Sequence, residues 1–185
     1  MSPIHIIVWI FAVCFQLANS ISIGGWLAGY GPSTPLEWEN SAVGYDVTMR
    51  LGLGLLVWTV GFLGNMYHDD ELREIRRAAL REQKKREAAE GGTSGKGKGK
   101  GVDKVYMIPQ NGLFRWILYP HYVLEWVEWS GFWLMAGVGC VPARSFLLNE
   151  IAAMVPRALR GLPWYVKRFG KERVGNRKAL IPGVL

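Results

Sequence analysis

Asn65, Asp69 and Arg76 are spaced so that a helix would present all three on one face, because positions four and seven apart return to the same side. An amide and a carboxylate offer partners to hydroxyl and amide groups of a ligand, and a planar guanidinium suits a phosphate. The same residues also fit the charged exterior of an ordinary helix end. Glu125 and Glu128 lie three apart on one face of an otherwise apolar segment, where an ionised carboxylate meeting lipid costs about 2.5 to 3.5 kcal/mol. They are expected to face a bundle interior, either as ligand-binding groups or as interfacial carboxylates. Cys14 and Cys140 both sit in apolar runs and show neither metal-ligand nor redox spacing, so they read as packing residues.

The elements that must carry these residues are apolar and long. No Asp, Glu, Lys or Arg occurs from Met1 to Leu36, and Ile4 to Ile23 is long enough to cross a hydrocarbon core of about 30 Å as a helix. A secretory signal ending near Ala18-Asn19-Ser20 is the rival reading, disfavoured because no basic residue precedes the apolar run. The stretch GGWLAGYGPSTPLEWENS is expected to be a loop, since its turn residues interrupt any helical period. A second apolar run from about Val43 to Met66 leads into a charged segment, Tyr67 to Glu90, that reads as a solvated helix. A third run, Tyr122 to Val141, precedes a shorter one, Ser145 to Val155, which spans a membrane only if it extends past Pro156 toward Leu162.

The formal charge of +7 is unevenly spread. No Lys or Arg lies between Ile23 and Val43, whereas eleven lie between Tyr67 and Met107 and eight from Arg157 onward. Basic clusters placed between apolar segments and at the C-terminus fit a cytosolic membrane face, and no nucleic-acid partner is expected. The glycine- and lysine-rich GGTSGKGKGKG is not a phosphate loop, because no Gly stands five positions before a Gly-Lys-Ser/Thr. Nor does a Gly-x-Gly-x-x-Gly turn follow a plausible strand, so a dinucleotide-binding sheet is not indicated. The expected fold is an all-α, polytopic transmembrane bundle with about four membrane segments and a cytosolic basic loop and tail. Its expected divisions are 1–81, with the first two membrane helices; 82–104, a basic low-complexity linker; and 105–185, a membrane hairpin and basic tail.

Four ordered motifs add a family resemblance. They are Asn65-Met66-Tyr67-His68-Asp69 running on to Arg76, Tyr106-Met107-Ile108-Pro109-Gln110-Asn111-Gly112-Leu113-Phe114, Tyr119-Pro120-His121-Tyr122 with Glu125 and Glu128-Trp129, and Trp164-Tyr165 to Phe169 with Asn176-Arg177-Lys178 to Pro182. In that order and at those spacings they resemble the C-terminal domain of steroid 5α-reductases, over essentially the whole chain apart from Glu82 to Lys104. His121 stands where that family more often has Asn, and Met107 where it often has a basic residue. One extra residue lies in Lys171 to Gly175.

The resemblance implies a multi-pass enzyme of the endoplasmic reticulum membrane that transfers hydride from NADPH to the β-carbon of a 3-oxo-Δ4-steroid or related lipid enone. Very-long-chain trans-2-enoyl-CoA and polyprenol reduction are the neighbouring alternatives, and a non-catalytic or partial product is the alternative outside enzymes. By resemblance, Asn65, Asp69, Arg76, Tyr106, His121, Arg157, Tyr165 and Arg177 hold the cofactor, and Glu125 and Glu128 line the substrate pocket. Membrane lipid and a lipid or steroid enone are the expected partners. Complete family members carry further transmembrane helices, which polarise the substrate carbonyl, before the segment matching Ile4 to Ile23. The chain is therefore expected to be the cofactor-binding half, with the catalytic acid unassigned, and alone to bind cofactor weakly or not at all and not to turn over steroid.

Overall fold

The computed structural model describes residues 6–40, 46–90 and 106–184. Among these the chain is helical: α1 (Ile6–Gly29), α2 (Pro35–Asn40), α3 (Val47–Glu90), a 3-10 turn (Gly112–Arg115), α4 (Pro120–Ala136), α5 (Val141–Phe169) and α6 (Lys171–Val174). One isolated parallel bridge, Ile117 to Lys178, is the only β-type pairing among the described residues. Two helices, Ile6–Gly29 and the Val47–Lys85 part of α3, are long and apolar enough to cross a membrane. Their apolar side chains stand largely free of protein, with Phe11 71% and Ile21 72% exposed, so these faces are not a soluble core.

Several local expectations change. The stretch expected to be a loop after Ile23 is mostly helical: α1 runs on to Gly29 and α2 follows after a short break. The reason is a capping box that the turn residues conceal. The Thr34 hydroxyl accepts the Glu37 N–H at 3.2 Å, and the Glu37 carboxylate accepts the Ser33 and Thr34 N–H groups at 2.6 and 3.3 Å. Pro35 takes the first helical position, where a missing N–H costs nothing. In the segment expected as linker, residues 82–90 belong to α3, while 91–104 lie outside the described residues. The short fourth run does not stop at Val155. It continues as α5 through Pro156 and Pro163, each of which removes one backbone donor without ending the helix.

The chain divides into two compact units, each built from two separate segments. The first holds residues up to Leu63 together with Leu124–Val155. Its core gathers Ala136, Cys140 and Ala143 against Trp26, Leu27, Phe132 and Trp133, so Cys140 is a packing residue as expected. Phe146 extends this core, stacking on Phe15 at 5.6 Å and meeting Trp129 at 4.1 Å. Gly137, with φ of +95°, makes the turn that closes α4, a backbone state that favours glycine. Here α3 and α4 approach backbone to backbone through Gly54, Gly61 and Gly131, leaving no space for a Cβ at the latter two.

The second unit comprises Gly64–Val123 and Pro156–Leu185. Its core is made of Phe114, Ile117, Leu118, Val174, Ala179 and Leu180, all nearly or fully buried. The C-terminal segment lies beside 116–119: the Leu118 N–H donates to the Lys178 carbonyl at 2.9 Å, Tyr119 N–H to Ala179 at 3.0 Å, and Lys178 N–H to Trp116 at 3.1 Å. The segment expected as a basic tail is thus partly a core element of this unit. Its apolar Val174, Ala179 and Leu180 supply the burial that holds it there.

Candidate functional site

Every residue expected to hold the cofactor falls in the second unit. Asn65, Asp69 and Arg76 share one stretch of uninterrupted α3, so the helical spacing read from the sequence is realised. Asn65 and Asp69 are half-buried and Arg76 is exposed. His121, at the start of α4 just ahead of the Tyr122–Val141 apolar run, is the group around which the others gather. Burial lowers its pKa to about 4, the Asp69 carboxylate pulls it upward, and His68, Arg76 and Arg157 push it down. Asp69, His68, Arg76 and Arg157 thus lie within electrostatic reach of His121. The imidazole is therefore neutral near pH 7, and its Nδ1 is buried with no hydrogen-bond partner.

An aromatic wall continues from this point. His121 meets Tyr122 at 4.5 Å, Tyr119 at 5.9 Å and Phe114 at 6.4 Å between ring centroids. Tyr119 meets Tyr165 edge-on at 6.1 Å, and Tyr165 stacks on Phe169 at 5.7 Å. Burial, then the neighbouring Tyr165 and Tyr122, raises the Tyr119 hydroxyl to about 12, with Arg157 opposing. Tyr165 is raised by burial too, with Arg76 and Arg177 acting against it. Both phenols stay protonated donors at any physiological pH. Gly161 makes room for this wall, since the Tyr119 hydroxyl lies where its Cβ would be. Tyr106 stands at the outer edge, with Trp164 edge-on at 5.4 Å and the Arg168 guanidinium 5.0 Å above its ring.

Arg177 has a different setting. Its guanidinium donates to four backbone carbonyls: Val174 at 2.9 Å, Arg173 at 2.6 Å, Pro109 at 2.8 Å and Phe114 at 3.3 Å. It thereby fastens the C-terminal segment to the Pro109–Phe114 loop. Glu125 and Glu128 belong to the first unit, both half-buried and both engaged in interactions. Sequence reasoning did not single out His68, Tyr119, Phe114 or Gly161 for the site. The available signal was Asn111-Gly112, a turn dipeptide, set beside a motif that already contained His68.

The donor set fits a nicotinamide dinucleotide. Arg76 and Arg157 are cations with fork geometry for phosphate oxygens, Asp69 is a carboxylate suited to ribose hydroxyls, and His121 offers an unpartnered buried nitrogen to an amide.

Residues 97–185 match the family described as 3-oxo-5-alpha-steroid 4-dehydrogenase. An uncharacterized protein of Schizosaccharomyces pombe is 37% identical over 183 residues, covering 98% of this chain and 58% of that protein. A steroid 5-alpha-reductase of Solanum lycopersicum is 28% identical over 184 residues, covering 97% and 56%. The 3-oxo-5-alpha-steroid 4-dehydrogenase 2 of Mus musculus is 25% identical over 180 residues, covering 97% and 58%. The chain thus spans a little over half the length of these relatives. The match over residues 97–185, with relatives named as steroid reductases along nearly the whole chain, makes this chain similar to the steroid 5-alpha-reductase family.

Proposed function

We propose that the second unit binds NADPH and that the protein serves the reduction of the C=C bond of a 3-oxo-Δ4-steroid or related lipid enone. The observation that carries this reading is the buried Nδ1 of His121, which has no hydrogen-bond partner and lies within electrostatic reach of Asp69, Arg76 and Arg157. When bound, the dinucleotide supplies the hydride. The chain's own residues bind and orient it: Arg76 and Arg157 neutralise phosphate charge, Asp69 and Asn65 take ribose or amide groups, and His121 receives or gives one hydrogen bond to the carboxamide. Tyr119, Tyr122 and Tyr165 form an aromatic wall that offers a face for stacking and limits the access of water. Glu125 and Glu128, on the apolar α4, are assigned to the substrate pocket.

Arg76 provides the test. Its exposed guanidinium can reach a 2′-phosphate, so Arg76→Ala should weaken NADPH by about tenfold, the loss of one charge-assisted hydrogen bond, and leave NADH within about twofold. Fluorescence titration of the detergent-solubilised chain with both nucleotides measures this. Equal losses, or none, would remove the phosphate role.

The membrane arrangement belongs to the same proposal: a multi-pass protein of the endoplasmic reticulum with four crossings and a cytosolic basic loop and tail. The count of eleven and eight basic residues in the two segments assigned to the cytosol supports it. A glycosylation acceptor placed near Ser33 should be modified in microsomes, and one placed beside Lys98 should not. The reverse pattern would sink the four-crossing arrangement.

A further inference from the structure

Resting on the cofactor reading above, we propose that His68 is a positioning residue, whose imidazole clasps the Asn111–Phe114 loop to α3 and thereby places His121 for the nucleotide. His68 is only 5% exposed. Its Nε2 accepts the Leu113 N–H at 3.0 Å, and its Nδ1 lies 2.7 Å from the Gly64 carbonyl. Because Nε2 accepts, the proton sits on Nδ1 and donates to Gly64, so both ring nitrogens are engaged in one neutral tautomer. The ring forms a bridge between an α3 carbonyl and the amide of a residue 45 positions away.

The loop is shaped for this contact. Gly112 has φ of +58°, a left-handed state that favours glycine, and a Cβ there would come within 2.7 Å of His68 Nε2 and 2.9 Å of the Tyr67 ring. One residue earlier, the Asn111 amide donates to Glu71 on α3 at 2.8 Å. Two residues after Gly112, Phe114 is fully buried, with its ring 5.4 Å from His68 and 6.4 Å from His121. Phe114 thus meets both imidazoles. Holding the Leu113 amide fixes Phe114, and Phe114 backs the His121 ring whose Nδ1 is left for a ligand. His68 itself has no nitrogen free for the cofactor, which is why its role is positional.

Side-chain length separates this role from a general packing role. A glutamine amide reaches the place of Nε2 and can accept from Leu113, whereas an asparagine amide reaches only the place of Nδ1. The full chain in detergent is titrated with NADPH for wild type, His68→Gln, His68→Asn and His68→Phe, alongside thermal melting and deuterium uptake of the peptide containing Leu113. Expected are affinity within about threefold for His68→Gln and about tenfold weaker for His68→Asn and His68→Phe, in step with faster exchange at Leu113. Wild-type affinity in His68→Asn would overturn the proposal. So would equal loss of melting temperature and affinity in all three variants, which would make the residue a packing element only. Absence of NADPH binding by the unsubstituted chain would remove the cofactor reading and this role with it. That failure is told apart because Arg76→Ala would then also change nothing.

Discussion

Gly131→Val is expected to lower stability by about 3 kcal/mol or more and to separate α3 from α4 in the first unit. A Cβ at Gly131 would overlap the Trp58 backbone and lie 2.7 Å from the Gly54 carbonyl, and these are helix backbone atoms that cannot swing aside. Gly61 meets the same constraint from the other helix, against the Glu128 backbone and 2.8 Å from the Leu124 carbonyl. Gly54 is milder, because the nearest obstacle, at 2.6 Å, is the flexible Met135 side chain. The expected order of damage is therefore Gly131 and Gly61 above Gly54. Gly52 has nothing within 4 Å of its Cβ position, so Gly52→Ala should be neutral or stabilise by about 0.5 to 1 kcal/mol through helix propensity. Thermal melting followed by circular dichroism in detergent measures the series. A Gly131→Val protein that melts like wild type would refute the close backbone approach.

Arg177→Lys is expected to fail almost as badly as Arg177→Met, each losing about 2 to 4 kcal/mol and weakening NADPH at least about tenfold. The guanidinium serves four carbonyls on two chain segments, a fan of donors that a single ammonium cannot reproduce. Two of those carbonyls, Pro109 and Phe114, lie 68 and 63 positions away in sequence, so the side chain ties the tail to the loop behind His121. Had Arg177 acted only as a positive charge toward phosphate, lysine would largely rescue binding. Melting temperature and nucleotide affinity of the two variants, measured together, distinguish these roles. Wild-type affinity in Arg177→Lys would return the residue to direct phosphate binding.

Positional differences explain where the sequence was a sufficient guide. The spacing of Asn65, Asp69 and Arg76 needs only the 3.6-residue period of one helix, and α3 runs unbroken through all three. The apolar run Ser145–Val155 leaves open whether the helix continues past Pro156, and the structure carries α5 on through both Pro156 and Pro163. The glycine- and proline-rich stretch after Ile23 was read as loop because Gly, Pro, Ser and Thr are turn formers. Thr34, Pro35 and Glu37 are equally the residues of a helix start, and their hydrogen bonds decide the matter.

The sequence by itself determined the helical class, the two long apolar helices, the polar face of α3 and the ordered motifs that carry the family resemblance, because each is written in neighbouring residues and in the period of one element. Only the tertiary structure decided that the His121 Nδ1 is buried without a hydrogen-bond partner, that His68 bridges to Leu113, that Arg177 holds a loop, and that Tyr119 fills the space above Gly161. Those assignments depend on side chains tens of positions apart meeting within a few ångströms. Hydrogen-bond partners of that kind leave no periodic trace in the sequence, since one imidazole or guanidinium can serve a ligand or a backbone carbonyl with the same donors.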